Sequence, residues 1–271
     1  MSSTQDSGYG GRHVLVTGGG TGIGRAVALE AARRDAAAVL VVGRRLEPLL
    51  SVAAGHPAIV PVVADVTTGE GADTIARAVR SGPGTLDVLV HNAAVNTRLP
   101  IDSLRMAEVR AIFETNVFGP IQLTQRLLPD LRSPGATIVL VSSVVGHRPP
   151  PPGTAVYAAS KAAVESLTRA WAIELAYLGI RVNAVAPGVV DSQDAPREGF
   201  TAEQVRVATE MFAAATVQGR PGRAEEIATW VLHLGTPGEG YVTGQVLSVD
   251  GGLELNGMPR RLEGAQAVIG R

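Results

Sequence analysis

The sequence predicts a doubly wound α/β fold: a seven-stranded, mostly parallel sheet with helices on both faces, in three layers. Three observations predict it. Seven short runs are mostly apolar and continuous rather than alternating, as strands buried on both faces of a parallel sheet are. Stretches of helical period separate these runs from end to end. A glycine-rich turn directly follows the first run and opens the first helical stretch.

Taken in order, the first strand spans 13–17 and leads into Thr17-Gly18-Gly19-Gly20-Thr21-Gly22-Ile23-Gly24, with a helix over 22–34. Glycines here let the chain turn tightly and approach a pyrophosphate, which sits on backbone N–H groups at the helix N-terminus. No G-K-[ST] follows, so this is not a Walker loop, and strand, loop and helix in that order make a Rossmann-like dinucleotide site. The second strand, 38–42, ends in Val42-Gly43-Arg44-Arg45. An NAD enzyme offers Asp or Glu at this point to the ribose 2′-hydroxyl. Two guanidiniums stand there instead and suit a 2′-phosphate, so the cofactor is expected to be NADP(H) rather than NAD(H), with Arg44 the principal contact and Arg45 beside it.

Helical period covers 47–54 and 72–80, on either side of a strand at 59–64, and a strand at 88–91 follows. One long helix is expected over 103–131, then a strand at 137–142, a helix over 156–177 and a strand at 181–186. A helix over 224–234 and a last strand at 245–249 complete the set. No composition shift or repeat divides the chain, which predicts a single domain over 12–253. Residues 1–11 read as a flexible tail and 254–271 as a second one.

Composition narrows the function. Of the 271 residues 45% are hydrophobic but only 4% aromatic, so aliphatic side chains must fill the core. Net charge is −1 and the arginines are scattered, which gives no basic field for nucleic acid or an anionic membrane. The absence of cysteine excludes disulfides, thiolate nucleophiles and cysteine-ligated metal sites. No His/Asp/Glu grouping has metal-ligand spacing, and His91 and His147 read as hydrogen-bonding residues. No apolar run approaches a membrane span, and 1–11 lacks the regions of a secretory signal, so a cytoplasmic protein is expected.

Of the 24 basic residues a single one is lysine, Lys161. Lysine delivers a compact point charge that guanidinium cannot. Tyr157 stands four residues earlier, so on a helix the phenol and the ammonium share a face. A nearby positive charge favours phenolate, which makes Tyr157 a candidate general acid/base with a lowered pKa.

These motifs together resemble the short-chain dehydrogenase/reductase family from Arg12 to about Leu253. The resemblance rests on T-G-x-x-x-G-x-G at 17–24, Asp65-Val66, Asn92-Ala93-Ala94 and Asn116 in Asn116-Val117-Phe118-Gly119. It continues with Ser142-Ser143, Y-x-x-x-K at 157–161, Pro187-Gly188, and Val249-Asp250-Gly251-Gly252. It implies that Gly18, Gly20, Thr21, Gly22, Ile23 and Gly24 hold the pyrophosphate, and that Asp65 and Val66 meet the adenine. Asn92, Ala93 and Ala94 would line the adenosine ribose side; Pro187, Gly188, Val190 and Ser192 would lie near the carboxamide. Tyr157 would protonate a carbonyl oxygen, and Lys161 would hold the nicotinamide ribose and depress the phenol. Ser143 would polarise the carbonyl, and Asn116 would hold a relay water behind the lysine.

Three departures stand out: a Ser143–Tyr157 gap one residue longer than usual, filled by the proline run at 149–152; Ala94 where glycine is common; and Ser192 in place of threonine. Specificity is expected from loops 95–100, 144–154 and 191–216, the last a lid, acting on a small carbonyl or alcohol. The resemblance also implies a homotetramer. Three rival readings are a 3-oxoacyl-carrier-protein reductase, a cofactor-binding regulator without chemistry, and a dehydratase or epimerase on the same scaffold.

Overall fold

The computed structural model describes residues 8–97, 100–132, 134–191, 207, 210–211, 214–236 and 240–255. The parallel strands are β1 (His13–Thr17), β2 (Ala38–Gly43), β3 (Ile59–Val63), β4 (Val88–His91), β5 (Thr137–Val141), β6 (Arg181–Pro187) and, last in the chain, β9 (Val246–Val249). They form one sheet in the order β3-β2-β1-β4-β5-β6-β9. The order reverses beside β1, and the crevice at the carboxyl ends of β1 and β4 is where such a sheet takes a ligand.

Each strand sends alternate residues into two cores, although the runs are mostly apolar and continuous. Leu15, Leu40, Leu89, Ile138 and Leu140 face one core; Val14, Val16, Val39, Val41, Val88, Val90 and Val139 face the other. The Leu/Ile face packs on α3 (Gly69–Ser81), α5 (Gly119–Leu127) and α6 (Ala155–Glu174) through Ile75, Val79, Leu123, Leu127, Val164 and Trp171. The valine face packs on α1 (Gly22–Arg33), α2 (Leu46–Ala53) and α7 (Ala224–Gly235). Shorter valines match an alanine-rich α1 (Ala26, Ala28, Ala31, Ala32), which lets that helix lie close to the sheet.

Helix and strand positions agree with the sequence reading to within a few residues, with three differences. The helix expected over 103–131 is broken: α4 (Met106–Phe113) runs into a π turn at Glu114–Phe118, then α5 and a 3-10 turn at Leu128–Asp130. A short parallel pair, β7 (Val190–Asp191) with β8 (Gly222–Arg223), was not expected. The ordered chain also reaches further than 12–253. Tyr9 is fully buried and its hydroxyl donates to the Leu232 carbonyl at 2.8 Å, so residues 8–11 belong to the fold, not to a tail. At the other end a 3-10 turn at Leu253–Leu255 packs on the domain; the remaining tail residues, 1–7 and 256–271, lie outside the described residues.

Candidate active site

The glycine turn is held from below by Thr17 and Asn92. Thr17 Oγ1 accepts from the backbone N–H groups of Asn92 (3.0 Å) and Ala93 (3.1 Å). Asn92 Nδ2 donates to the carbonyls of Thr17 (3.0 Å) and Gly18 (3.1 Å), so this side chain braces the loop. Gly18 and Gly22 have φ of +64° and +53°, a region that L side chains resist. A Cβ on Gly24 would lie 2.2 Å from the Gly18 carbonyl oxygen and 2.5 Å from Asn92 Nδ2. The first turn of α1 has no side-chain cap from Thr21 and no acidic residue. Its backbone N–H groups and positive dipole end therefore face the crevice unopposed, which fits a pyrophosphate.

A cleft of about 380 Å³ opens there, lined by Gly18, Gly20 and Thr21 on one side and by Arg44, Arg45, Asp65, Val66, Ala93, Ala94 and Thr115 around it. Arg44 and Arg45 are exposed at the end of β2 and make no ion pair among the described residues. Asp65 turns one carboxylate oxygen onto Thr67, accepting from its N–H (2.9 Å) and hydroxyl (2.8 Å), and this fixes the turn after β3. Gly22, Ile23 and Gly24 lie in the first turn of α1.

A second cleft, of about 660 Å³, adjoins the first where the consecutive residues Val95 and Asn96 line one each. Ser143 and Tyr157 line it together. Ser142, its neighbour, is buried and turned the other way, donating to Glu165 at 3.1 Å. Pro149, Pro150 and Pro151 wall the cleft, so the proline run shapes the pocket. Gly188 and Val190 also line it, and the Pro187 carbonyl lies 3.5 Å from Ser143 Oγ. Ser192 and most of the expected lid, 192–206, 208–209 and 212–213, lie outside the described residues.

Lys161 is 3% exposed and donates to the Val141 carbonyl at 2.7 Å, with Nζ 5.6 Å from the centre of the Tyr157 ring. The lowered phenol expected from the four-residue spacing is not what this geometry gives. Burial pushes Tyr157 up to about 12, and the nearby Ser143 hydroxyl offsets only part of that. Burial also pushes the Lys161 ammonium down to about 8. Desolvation outweighs attraction because the ammonium is drawn back to a carbonyl at the end of β5.

Asn116 sits in the π turn, 2% exposed. Its Oδ1 accepts from Val95 N–H at 2.7 Å, and its Nδ2 donates to the Val95 carbonyl and to Ser160 Oγ, both at 3.0 Å. Both amide hydrogens are thereby used on protein, and the side chain clamps the cofactor-side loop to α6. The sequence reading gave no role to Thr17, Thr115, Ser160 or Arg148. Ser160, three residues beyond Tyr157, donates to its carbonyl at 2.7 Å, and that helical spacing is the signal that could have found it. His91 and His147 do act as hydrogen-bonding residues: buried His91 meets Thr124 at 2.8 Å and burial holds it neutral, down to about 3.

The family model described as enoyl-(acyl carrier protein) reductase matches residues 18–254. The chain is 36% identical over 249 residues to the 3-oxoacyl-[acyl-carrier-protein] reductase FabG of Thermotoga maritima, covering 90% of this chain and 98% of that one. It is 34% identical over 253 residues to a sorbitol dehydrogenase of Cereibacter sphaeroides, covering 89% and 97%. Among solved structures, a short-chain dehydrogenase/reductase from Serratia marcescens superposes with a TM-score of 0.82 at 31% identity, covering 90% and 98%. One of unknown function from Caenorhabditis elegans, solved with cofactor, gives 0.83 at 31%, covering 92% and 97%. The glycine turn on an uncapped helix, the Ser143–Tyr157 pair over a buried Lys161, and matches of this extent have one reading: the chain belongs to the short-chain dehydrogenase/reductase family, oxidoreductases that act on CH–OH and C=O groups with NAD(P)(H).

Proposed function

We propose that this protein is an NADP(H)-dependent oxidoreductase that interconverts a ketone and a secondary alcohol, with Tyr157 as general acid/base. The observation that carries this reading is the pair of hydroxyls, Ser143 and Tyr157, side by side in a cleft that adjoins the glycine turn. When bound, the nicotinamide supplies or accepts the hydride. The chain's own groups do the rest. Ser143 donates to the substrate oxygen and stabilises charge that develops there. Tyr157, a protonated phenol throughout the neutral range, gives its proton to that oxygen during reduction. Lys161 holds ribose hydroxyls, and Asn116 and Asn92 brace the two sides of the site. Arg44 and Arg45 favour the 2′-phosphate, because both guanidiniums stand at the rim of the cleft without a carboxylate partner among the described residues. Asp65 and Val66 would border the adenine; Ala93, Ala94, Pro187, Gly188 and Val190 would border the rest, and Ser192 remains part of the proposal from sequence.

Similarity to the Thermotoga reductase favours a second reading, reduction of a 3-oxoacyl thioester. The assembly proposed is a homotetramer, supported by the exposed apolar Ile173, Tyr177 and Tyr241. Sedimentation as a monomer at micromolar concentration would remove that part. A cytoplasmic setting is proposed from composition; no helix among the described residues is long and apolar enough to cross a membrane.

The test is absorbance of reduced nicotinamide across a panel of ketones, alcohols and a 3-oxoacyl thioester. Net consumption of NADPH is expected, and Tyr157→Phe should lower kcat/KM by about 10²–10⁴-fold while cofactor affinity holds. Product without consumption would move the protein to the dehydratase or epimerase class. Cofactor binding with no turnover of any substrate would make it a regulator.

A further inference from the structure

Behind the catalytic serine lies a cluster of titratable groups that hydride transfer does not use. Glu165 stands on α6 one turn beyond Lys161, with its side chain only 4% exposed. Its Oε1 accepts from Ser142 and meets His147 Nδ1 at 2.6 Å. The other ring nitrogen, Nε2, meets Glu254 Oε1. Ser248 on β9 donates to that same oxygen at 2.9 Å and lies 3.4 Å from His147 Nε2. Among the described residues, the neighbouring charged groups Arg169, Asp250 and Arg148 have partners of their own. Arg169 donates to the Glu165 carbonyl (3.2 Å) and lies 3.8 Å from Oε2; Asp250 accepts from Glu254 N–H at 2.7 Å; Arg148 donates to the Leu253 carbonyl at 3.0 Å.

Imidazole has two nitrogens, and here both face carboxylates. Only the imidazolium donates to both; a neutral ring turns one lone pair toward a carboxylate. The three pieces bridged are the turn after Ser143, helix α6 and the Leu253–Leu255 turn. Leu253 and Arg148 wall the same cleft as Ser143 and Tyr157. Contact between the serine turn and α6 is tight, since a Cβ on Gly146 would lie 2.8 Å from Glu165 Oε1 and 3.0 Å from the Lys161 carbonyl carbon.

We propose that His147 is a positioning residue: its imidazolium, held between Glu165 and Glu254, latches the Leu253–Leu255 turn onto the serine turn and fixes one wall of the substrate cleft. This rests on reading that cleft as the substrate site. Burial alone would lower His147, but its bonds to Glu165 and Glu254 outweigh burial and raise it above its ordinary value. The latch is therefore complete at acid pH and released as pH rises through the raised value.

The experiment compares wild type with His147→Gln and Glu254→Gln between about pH 5.5 and 9. At the acid end both variants should show KM for the carbonyl on the order of tenfold higher, with kcat little changed, and the gap should close at the basic end. Burial lowers Lys161 to about 8, and neither substitution touches it directly, so the ratio to wild type isolates the histidine. Hydrogen exchange at the Leu253–Leu255 amides, measured without substrate, should be about tenfold faster in both variants at acid pH. A KM ratio independent of pH, or a lowered kcat at unchanged KM, would overturn the proposal, as would equal exchange. If no carbonyl is turned over, exchange still reads the latch, so its failure and that of the catalytic reading are separable. Glu254 lies at the surface, so its variant carries the test should His147→Gln fold poorly.

Discussion

Gly24→Ala sets two effects of opposite sign against each other. Inside a helix alanine gains up to about 1 kcal/mol over glycine. Against this, the new Cβ would lie 2.2 Å from the Gly18 carbonyl oxygen and 2.5 Å from Asn92 Nδ2, well inside ordinary contact. The nearer obstacle is backbone, in the turn whose shape the cofactor site depends on, and Asn92 is itself tied to Thr17 and Gly18. At an approach this short overpacking costs about 2–3 kcal/mol, so packing wins and the net loss is about 1–2 kcal/mol. For a domain of this size that lowers Tm by roughly 2–8 °C. Displacing the Gly18 carbonyl also turns the loop N–H groups, so NADPH affinity should fall on the order of tenfold or more, read by fluorescence titration. Gly69→Ala is the control: it lies at the start of α3 with open space around its Cβ position, and should be neutral or slightly stabilising. Should Gly24→Ala match Gly69→Ala in both Tm and affinity, the close-packing account of the loop is refuted.

Three further outcomes are expected. Arg44→Asp replaces a phosphate-seeking guanidinium by a carboxylate and should lower the NADPH-over-NADH ratio of kcat/KM by about 10²-fold; a wild type that prefers NADH, unmoved by the change, contradicts the assignment. Burial lowers Lys161 to about 8 in the fold, so between there and its unfolded value the folded state sheds its proton first and stability rises with pH. The stability advantage of Lys161→Met over wild type should therefore shrink by roughly 2 kcal/mol between about pH 7.5 and 9.5 in urea titrations, and a widening gap would reverse the sign. Tyr9→Ala removes a fully buried ring and its bond to Leu232 and should cost about 3–5 kcal/mol in the same titrations, where a tail residue would cost nothing.

The strands were legible because a doubly buried parallel strand must be apolar throughout, and valine runs such as 38–42 advertise that directly. The glycine turn and the four-residue step from Tyr157 to Lys161 were legible for a similar reason, since local spacing fixes which groups share a face. What stayed hidden depends on distant partners. One extra residue per turn at Glu114–Phe118 leaves hydrophobic periodicity almost unchanged, so 103–131 read as one helix. Tyr9 stands in a polar, glycine-rich stretch, and the carbonyl that receives it is 223 residues away. The Tyr157 pKa went the wrong way because spacing reveals the neighbouring charge but not the desolvation of both groups. His147 finds one of its carboxylates 107 residues further on, beyond the reach of any motif.

The clamp at Asn116 has a consequence for how such a scaffold diversifies. One carboxamide ties Val95, in the cleft beside the glycine turn, to Ser160, next to Lys161. The loop after β4 and the helix that carries Tyr157 and Lys161 are thus joined in a single frame, and the proline segment lies outside it. On the proposed function, exchange of the outer segment would alter which molecule is accepted without retuning the reaction beneath. Transplanting 149–152 between relatives should accordingly change what is accepted far more than how fast a common probe reacts.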